Sequence, residues 1–149
     1  MIDILVYLFA TYQDFGSRPK SRTLKRALSA VGFEDAAIST ALRWLDGLNT
    51  AAAVELPGND RAVRVYRVEE QRKLGSDGLG VIASLEAAGL LRPALRELVV
   101  ERAMILGEEP VPLAKFKIIV LMVLWTQEQN IEPLVVEELL DNGDTRLLH

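Results

Sequence analysis

The sequence has no cysteine and only one histidine, His149, its last residue. Without thiols there is no disulfide framework, no thiolate zinc site and no cysteine nucleophile, and the composition suits a reducing cytoplasm. A lone imidazole at a chain end is poorly held, so neither a cleft base nor a histidine-based metal site is expected. No phosphate loop, dinucleotide fingerprint, nucleophile elbow or kinase signature appears either. "GSDGLG" is the one glycine-rich stretch; it opens a helix that could face an anion, but no strand precedes it and no lysine follows. Catalytic, metal and cofactor-binding residues are therefore all expected to be absent, and the chain is read as non-enzymatic.

A membrane-length apolar run is also missing. In "AKFKIIVLMVLWTQ" nothing polar occurs from Ile118 to Trp125, but eight helical residues span only about 12 Å against the roughly 30 Å of a bilayer core. Lys115 and Lys117 precede the run, and Gln127 and Glu128 close it. The N-terminal "MIDILVYLF" carries Asp3 and no basic residue, so a secretory leader is not expected. No membrane contact is predicted, and the location is read as cytoplasmic.

What is present is the balance of a globular protein, 50% hydrophobic and 26% charged. A chain of 149 residues can form one domain, or two small subdomains sharing a core. Charge is uneven. Residues 1–68 hold nine Lys/Arg against seven Asp/Glu, and residues 69–149 hold eight against fourteen.

Apolar spacing predicts a first helix in "IDILVYLFATYQ", with Ile2, Leu5, Val6, Phe9 and Tyr12 on one face. Ser21 opens a second helix that ends at Gly32, its stripe being Leu24, Ala27, Leu28 and Val31. A third, "FEDAAISTALRWLDGL", carries Ile38, Ala41, Leu42 and Leu45 and is expected to stop at Gly47. The period then changes. Pro57, Gly58, Asn59 and Asp60 separate two short runs, and Val63, Val65 and Val68 alternate with Arg64, Tyr66 and Arg67, which predicts a β-hairpin. Beyond Glu69 the pattern is helical: "EEQRKL", then "SDGLGVIASLEAAG", "PALRELVVERAMIL" opened by Pro93, the apolar helix from Leu113, and a last short helix from Pro133. A helix apolar all round is normally enclosed by its neighbours. The predicted fold is all-α with one small β-hairpin: a winged-helix-like unit at 1–68 and a helical subdomain at 69–149 packed on the central apolar helix.

Three constellations invite a functional reading. Arg18, Lys20, Arg22, Lys25 and Arg26 lie in and before the second helix, where a winged helix meets the nucleic-acid backbone; Arg43, Arg61 and Arg64 could assist. Against this, the third helix offers Glu34, Asp35 and Asp46 beside one arginine, a poor set for base edges. Arg102 and Lys117 interrupt apolar stripes, so each must reach water or a carboxylate, with Glu69, Glu70, Glu97 and Glu101 as candidates. The simple reading is a structural ion pair that fixes how two helices dock; the alternative is an anion pocket. Finally, Glu108, Glu109, Glu128, Glu132, Glu137, Glu138, Asp141 and Asp144 make an acidic exterior, suited to solubility or to a basic partner.

"MIDILVYLFATY", "GFEDAAISTALRWLDGL", "RVYRVEEQRKL" and "ALRELVVERAMIL" with "KIIVLMVLW", ending in "LLH", resemble the bacterial Smg protein family nearly end to end. Arg102 and Lys117 fall where the family is expected to carry the same residues. Lys115 and Ile118 depart from the acidic and aromatic residues expected there. The resemblance implies an uncharacterised protein, often encoded beside a DNA-processing protein, and carries over no activity or cofactor. The expected function is an interaction or adaptor protein that presents helical surfaces to a protein partner. The rival is direct nucleic-acid binding through the basic cluster, and the oligomeric state is left open.

Overall fold

Seven α-helices and one short 3-10 turn make up the regular structure of residues 1–12, 15–50, 64–127 and 131–141, the part of the chain that the computed structural model describes. They run in the order α1 (Ile2–Thr11), the 3-10 turn (Phe15–Ser17), α2 (Ser21–Val31), α3 (Asp35–Thr50), α4 (Val68–Ala87), α5 (Pro93–Met104), α6 (Leu113–Gln127) and α7 (Pro133–Leu140).

Helix α6 is the axis of the packing. Every residue from Phe116 to Trp125 is buried, and α1, α3, α4, α5 and α7 all touch it. Such a run has no polar face to turn outward, so burial on all sides is its low-energy state. In α1, Ile4, Leu5 and Leu8 are buried, and the rings of Phe9 in α1 and Phe15 in the 3-10 turn stand edge-on to Trp125 at 5.7 and 4.9 Å. Buried residues from α1 to α7 join in one hydrophobic cluster.

Local chemistry sets the boundaries. At the end of α2, Gly32 takes φ 114, and the Phe33 N–H reaches back to the Leu28 carbonyl at 3.2 Å, closing the helix in the left-handed turn that glycine favours. Phe33 then sits edge-on to Tyr7 of α1. Pro93 occupies the first turn of α5 and Pro133 that of α7, where a missing N–H costs nothing. Helix α4 breaks at Gly75, whose φ of 70 and ψ of 168 are not helical. The break frees the Lys73 carbonyl, which accepts the Val111 N–H at 2.8 Å, while the Lys73 ammonium donates to the Leu106 carbonyl. The α5–α6 connection is thereby fastened to α4.

The predicted hairpin and winged-helix-like unit are overturned. No strand occurs among the described residues, and the elements of 1–50 are helical. Residues 64–67 carry no regular structure and Val68 already begins α4; the rest of the expected hairpin, residues 51–63, lies outside the described residues. The alternation misled because its parity is inverted. Val65 and Val68 are 83% and 56% exposed, whereas Arg64 and Tyr66, on either side of Val65, are half-buried. Polar contacts, not a sheet face, hold this segment. Helix α3 also runs past Gly47 instead of stopping there.

Candidate functional site

Three arrangements outside the apolar core could carry function, and each begins in local sequence. The first is an ion network at the start of α4. Glu70 stands at the third helical position, where its carboxylate accepts the Arg67 N–H at 2.9 Å and completes a helix-start hydrogen bond. Both Arg64 Nη atoms donate to the same carboxylate at 2.8 and 2.9 Å. Arg64 also bonds Glu97 of α5 through Nε and Nη2, each at 3.0 Å, and its guanidinium lies 4.5 Å from the Tyr66 ring centre. Glu97 accepts from Arg96 at 2.7 Å, and Arg96 reaches Glu86 at 3.1 Å. Arg64 thus clamps the segment before α4 onto α4 and α5 at once.

The electrostatics follow the contacts. Glu70 is 3% exposed, and the Arg64 guanidinium, outweighing the cost of burial, draws its carboxyl down to about 2. Burial works against the charged form of Glu97, but its bonds to Arg64 and Arg96 hold it below the ordinary carboxylate range. Hydrogen bonds to Glu70, then Glu97, raise Arg64. Such a network has no poised acid or base; it is a fixed joint.

The second arrangement surrounds Arg102. Its side chain is buried on α5, and burial lowers its affinity for a proton, opposed by Glu101. The guanidinium lies over the Trp44 ring at 5.2 Å, and Nη2 donates to the Trp44 carbonyl at 3.4 Å. Arg102 Nε and Trp44 Nε1 are buried without a partner among the described residues. Gly47 makes room, since a Cβ there would stand 2.9 Å from Arg102 Nη1. The expected carboxylates are elsewhere: Glu70 and Glu97 serve Arg64 and Arg96, not Arg102 or Lys117.

The third is a groove of about 620 Å3 between the second half of α4, the start of α6, and α7. Val81, Leu85, Leu113, Leu134, Val135 and Leu139 give its apolar surface, and Asp77, Glu132 and Glu138 its carboxylates. Lys117 lines it as well. Its ammonium lies 3.5 Å from Glu138 Oε1 and 3.4 Å from the Asp141 carbonyl, so the cation is engaged by α7 and its end. Arg102 does not line the groove. Ser76 and Ser84 do, but among the described residues neither hydroxyl is bonded to a base that would make it a nucleophile.

Of the basic cluster, Lys20, Arg22, Lys25 and Arg26 are exposed at or on α2, and Arg43 is exposed on α3. Arg18 is set apart, stacked on the Phe15 ring at 3.8 Å and donating to the Phe15 carbonyl. Arg64 is consumed by the ion network, and Arg61 lies outside the described residues. Sequence reasoning missed Arg64 as a clamp, Arg96, and the groove. Only Arg96 had a readable signal, since it shares a helical face with Val99 and Val100 on α5.

Among the described residues, fold and groove together describe an all-helical arrangement in which Arg64, Arg96 and Lys117 join neighbouring elements and an apolar trough lies open between three helices. The chain belongs to the family described as "Protein of unknown function (DUF494)", whose model matches residues 1–149. It is 47% identical to the "Protein Smg homolog" of Bordetella petrii over 152 aligned positions covering all of both chains. Relatives of the same name from Bordetella avium and Methylibium petroleiphilum are 48% and 43% identical, again over the full length of both chains. The resemblance to the Smg family is thereby shown. No solved structure matches the chain.

Proposed function

We propose that this protein is a non-enzymatic cytoplasmic interaction protein that presents helical surfaces to a protein partner. One observation carries the reading: the groove leaves apolar side chains open to water, with Leu134 69% exposed at its wall. Exposed apolar surface concentrated in a concave site is costly unless something covers it. The joints described above favour a rigid scaffold over a reactive centre. Among the described residues no helix is long and apolar enough to cross a membrane, which agrees with a partner met in water. The association with DNA-processing genes that the family resemblance implies makes a DNA-engaged protein the first candidate. Crosslinking the tagged chain in cells, followed by capture and mapping, tests the reading. Crosslinks to one partner that cluster on a single helical face are expected; no captured partner, or crosslinks scattered over every face, would refute it.

A second reading rests on α2, where Lys20, Arg22, Lys25 and Arg26 are exposed with no acidic partner among the described residues. These cations could meet nucleic-acid phosphates directly. Titrating binding of duplex and single-stranded DNA against salt separates the two readings. A logarithmic slope of about −3, lost when the cations become alanine, would favour the nucleic-acid reading.

A further inference from the structure

We infer that the groove between α4, α6 and α7 receives a short amphipathic helix bearing lysine or arginine beside its apolar anchors, an inference that rests on the interaction reading above. The lining fixes three properties of the occupant. Its contact face must be apolar, because Val81, Leu85, Leu113, Leu134, Val135 and Leu139 supply most of the surface. It must tolerate water on its other face, because the site is an open trough and not an enclosed cavity. Small ligands bury ~70–90% of their surface in their pockets, which an open trough does not provide. A helix with one apolar stripe satisfies both conditions.

Charge selects the third property. Asp77, Glu132 and Glu138 line the groove, and Lys117, the one lining cation among the described residues, already faces Glu138 and the Asp141 carbonyl. An anionic occupant, whether a fatty-acid carboxylate, a lipid phosphate or a nucleic-acid backbone, would meet a like-charged rim. A cationic one gains from it and is steered towards it. Along α4 the lining extends from Ser76 to Leu85, about 14 Å at 1.5 Å per residue, so a helix of roughly ten residues spans it with anchors at i, i+3, i+4 and i+7.

The test uses the full chain and a labelled peptide of leucine and lysine, about 12 residues long, with the leucines at that spacing. Two controls accompany it: the same residues in an order that scatters the leucines, and a version with glutamate for lysine. Fluorescence anisotropy at about 0.15 M salt should show that the patterned cationic peptide binds at least tenfold more tightly than either control. Leu134→Asp should weaken it about tenfold even though it adds negative charge, and Asp77→Asn with Glu132→Gln should weaken it about threefold. All three residues are exposed, so the variants should keep the wild-type circular dichroism. Equal binding of the scattered peptide, an unchanged affinity in Leu134→Asp, or tighter binding of the glutamate peptide would each overturn the inference. So would self-association of the chain that Leu134→Asp abolishes, which would make a second copy the occupant. A crosslinked cellular partner that the peptide does not displace would sink this inference and leave the interaction reading intact. Failure to capture any partner strikes at the interaction reading itself.

Discussion

Neutralising Glu70 isolates the clamp that holds residues 64–67 against α4 and α5. In Glu70→Gln the shape is kept and one oxygen still caps the Arg67 N–H, but the second oxygen facing Arg64 becomes an amide that cannot accept its hydrogen bond. The carboxyl is drawn from 4.5 to about 2 in the folded chain. A lowered value means that the folded state favours the ionised form, so the stabilisation is fully present above the unfolded value of 4.5 and disappears as pH falls towards 2. At roughly 1.4 kcal/mol per pH unit the shift corresponds to about 3 kcal/mol. The Arg64 side chain is 19% exposed, and solvent screening there reduces the expected cost of the substitution to about 2 kcal/mol. Urea unfolding of both proteins at a series of pH values reads this directly. The wild type should exceed the variant by about 2 kcal/mol near neutrality, and the two curves should converge below about pH 4. A gap that persists undiminished to about pH 2.5, or that never exceeds about 0.5 kcal/mol, refutes the reasoning.

Two glycines of α4 should respond in opposite directions. Gly75 holds φ 70 and ψ 168, where a side chain is strained, so Gly75→Ala should cost about 2 kcal/mol in chemical denaturation. At Gly78 an added methyl would make ordinary contacts with Leu74 and Phe116 at 3.5–3.6 Å, so Gly78→Ala should gain up to about 1 kcal/mol from helix propensity. Leu121 in α6 has no exposed surface, and Leu121→Ala should remove about 3 kcal/mol, lowering the thermal midpoint by several degrees in calorimetry. Gly47→Ala should destabilise the wild type by about 1 kcal/mol, yet stabilise an Arg102→Met background; a double-mutant cycle with no coupling would mean that the guanidinium does not need the glycine's space.

The parts of the fold that could be read in advance are those whose pattern has two distinct faces. Helix α2 alternates exposed cations with the buried Leu24 and Leu28, though Val31 of its expected stripe is 52% exposed at the helix end, and α3 buries Ile38, Ala41, Leu42 and Leu45 as its spacing required. Where almost every position is apolar, spacing loses its phase. In α1 the expected stripe included Ile2, Val6 and Phe9, yet the fully buried positions are Ile4, Leu5 and Leu8. In residues 64–67 alternation suggested a strand, because the pattern cannot show that Arg64 has two carboxylates waiting, one of them 33 residues along the chain. The off-pattern cations at Arg102 and Lys117 were visible, but their partners depend on how helices cross. An aromatic face and a carbonyl served Arg102, and α7 served Lys117.

The groove has a cause that no single helix reveals. Helix α6 is 15 residues long and needs cover along its whole length, but α7, which supplies part of that cover, has only eight. Lys117 meets the end of α7, so the first turn of α6, about 5 Å at 1.5 Å per residue, extends past its neighbour. Pro133 sets the start of α7, and at Asp141 the backbone turns extended, so α7 is bounded at both ends. The uncovered portion includes the first turn of α6, where Leu113 remains part exposed. Lys117, one turn further on, sits at the border: its stem is buried among apolar residues, while its ammonium meets Glu138 and the carbonyl at the end of α7. One short helix therefore decides both where the dry core ends and where apolar surface is left unclaimed.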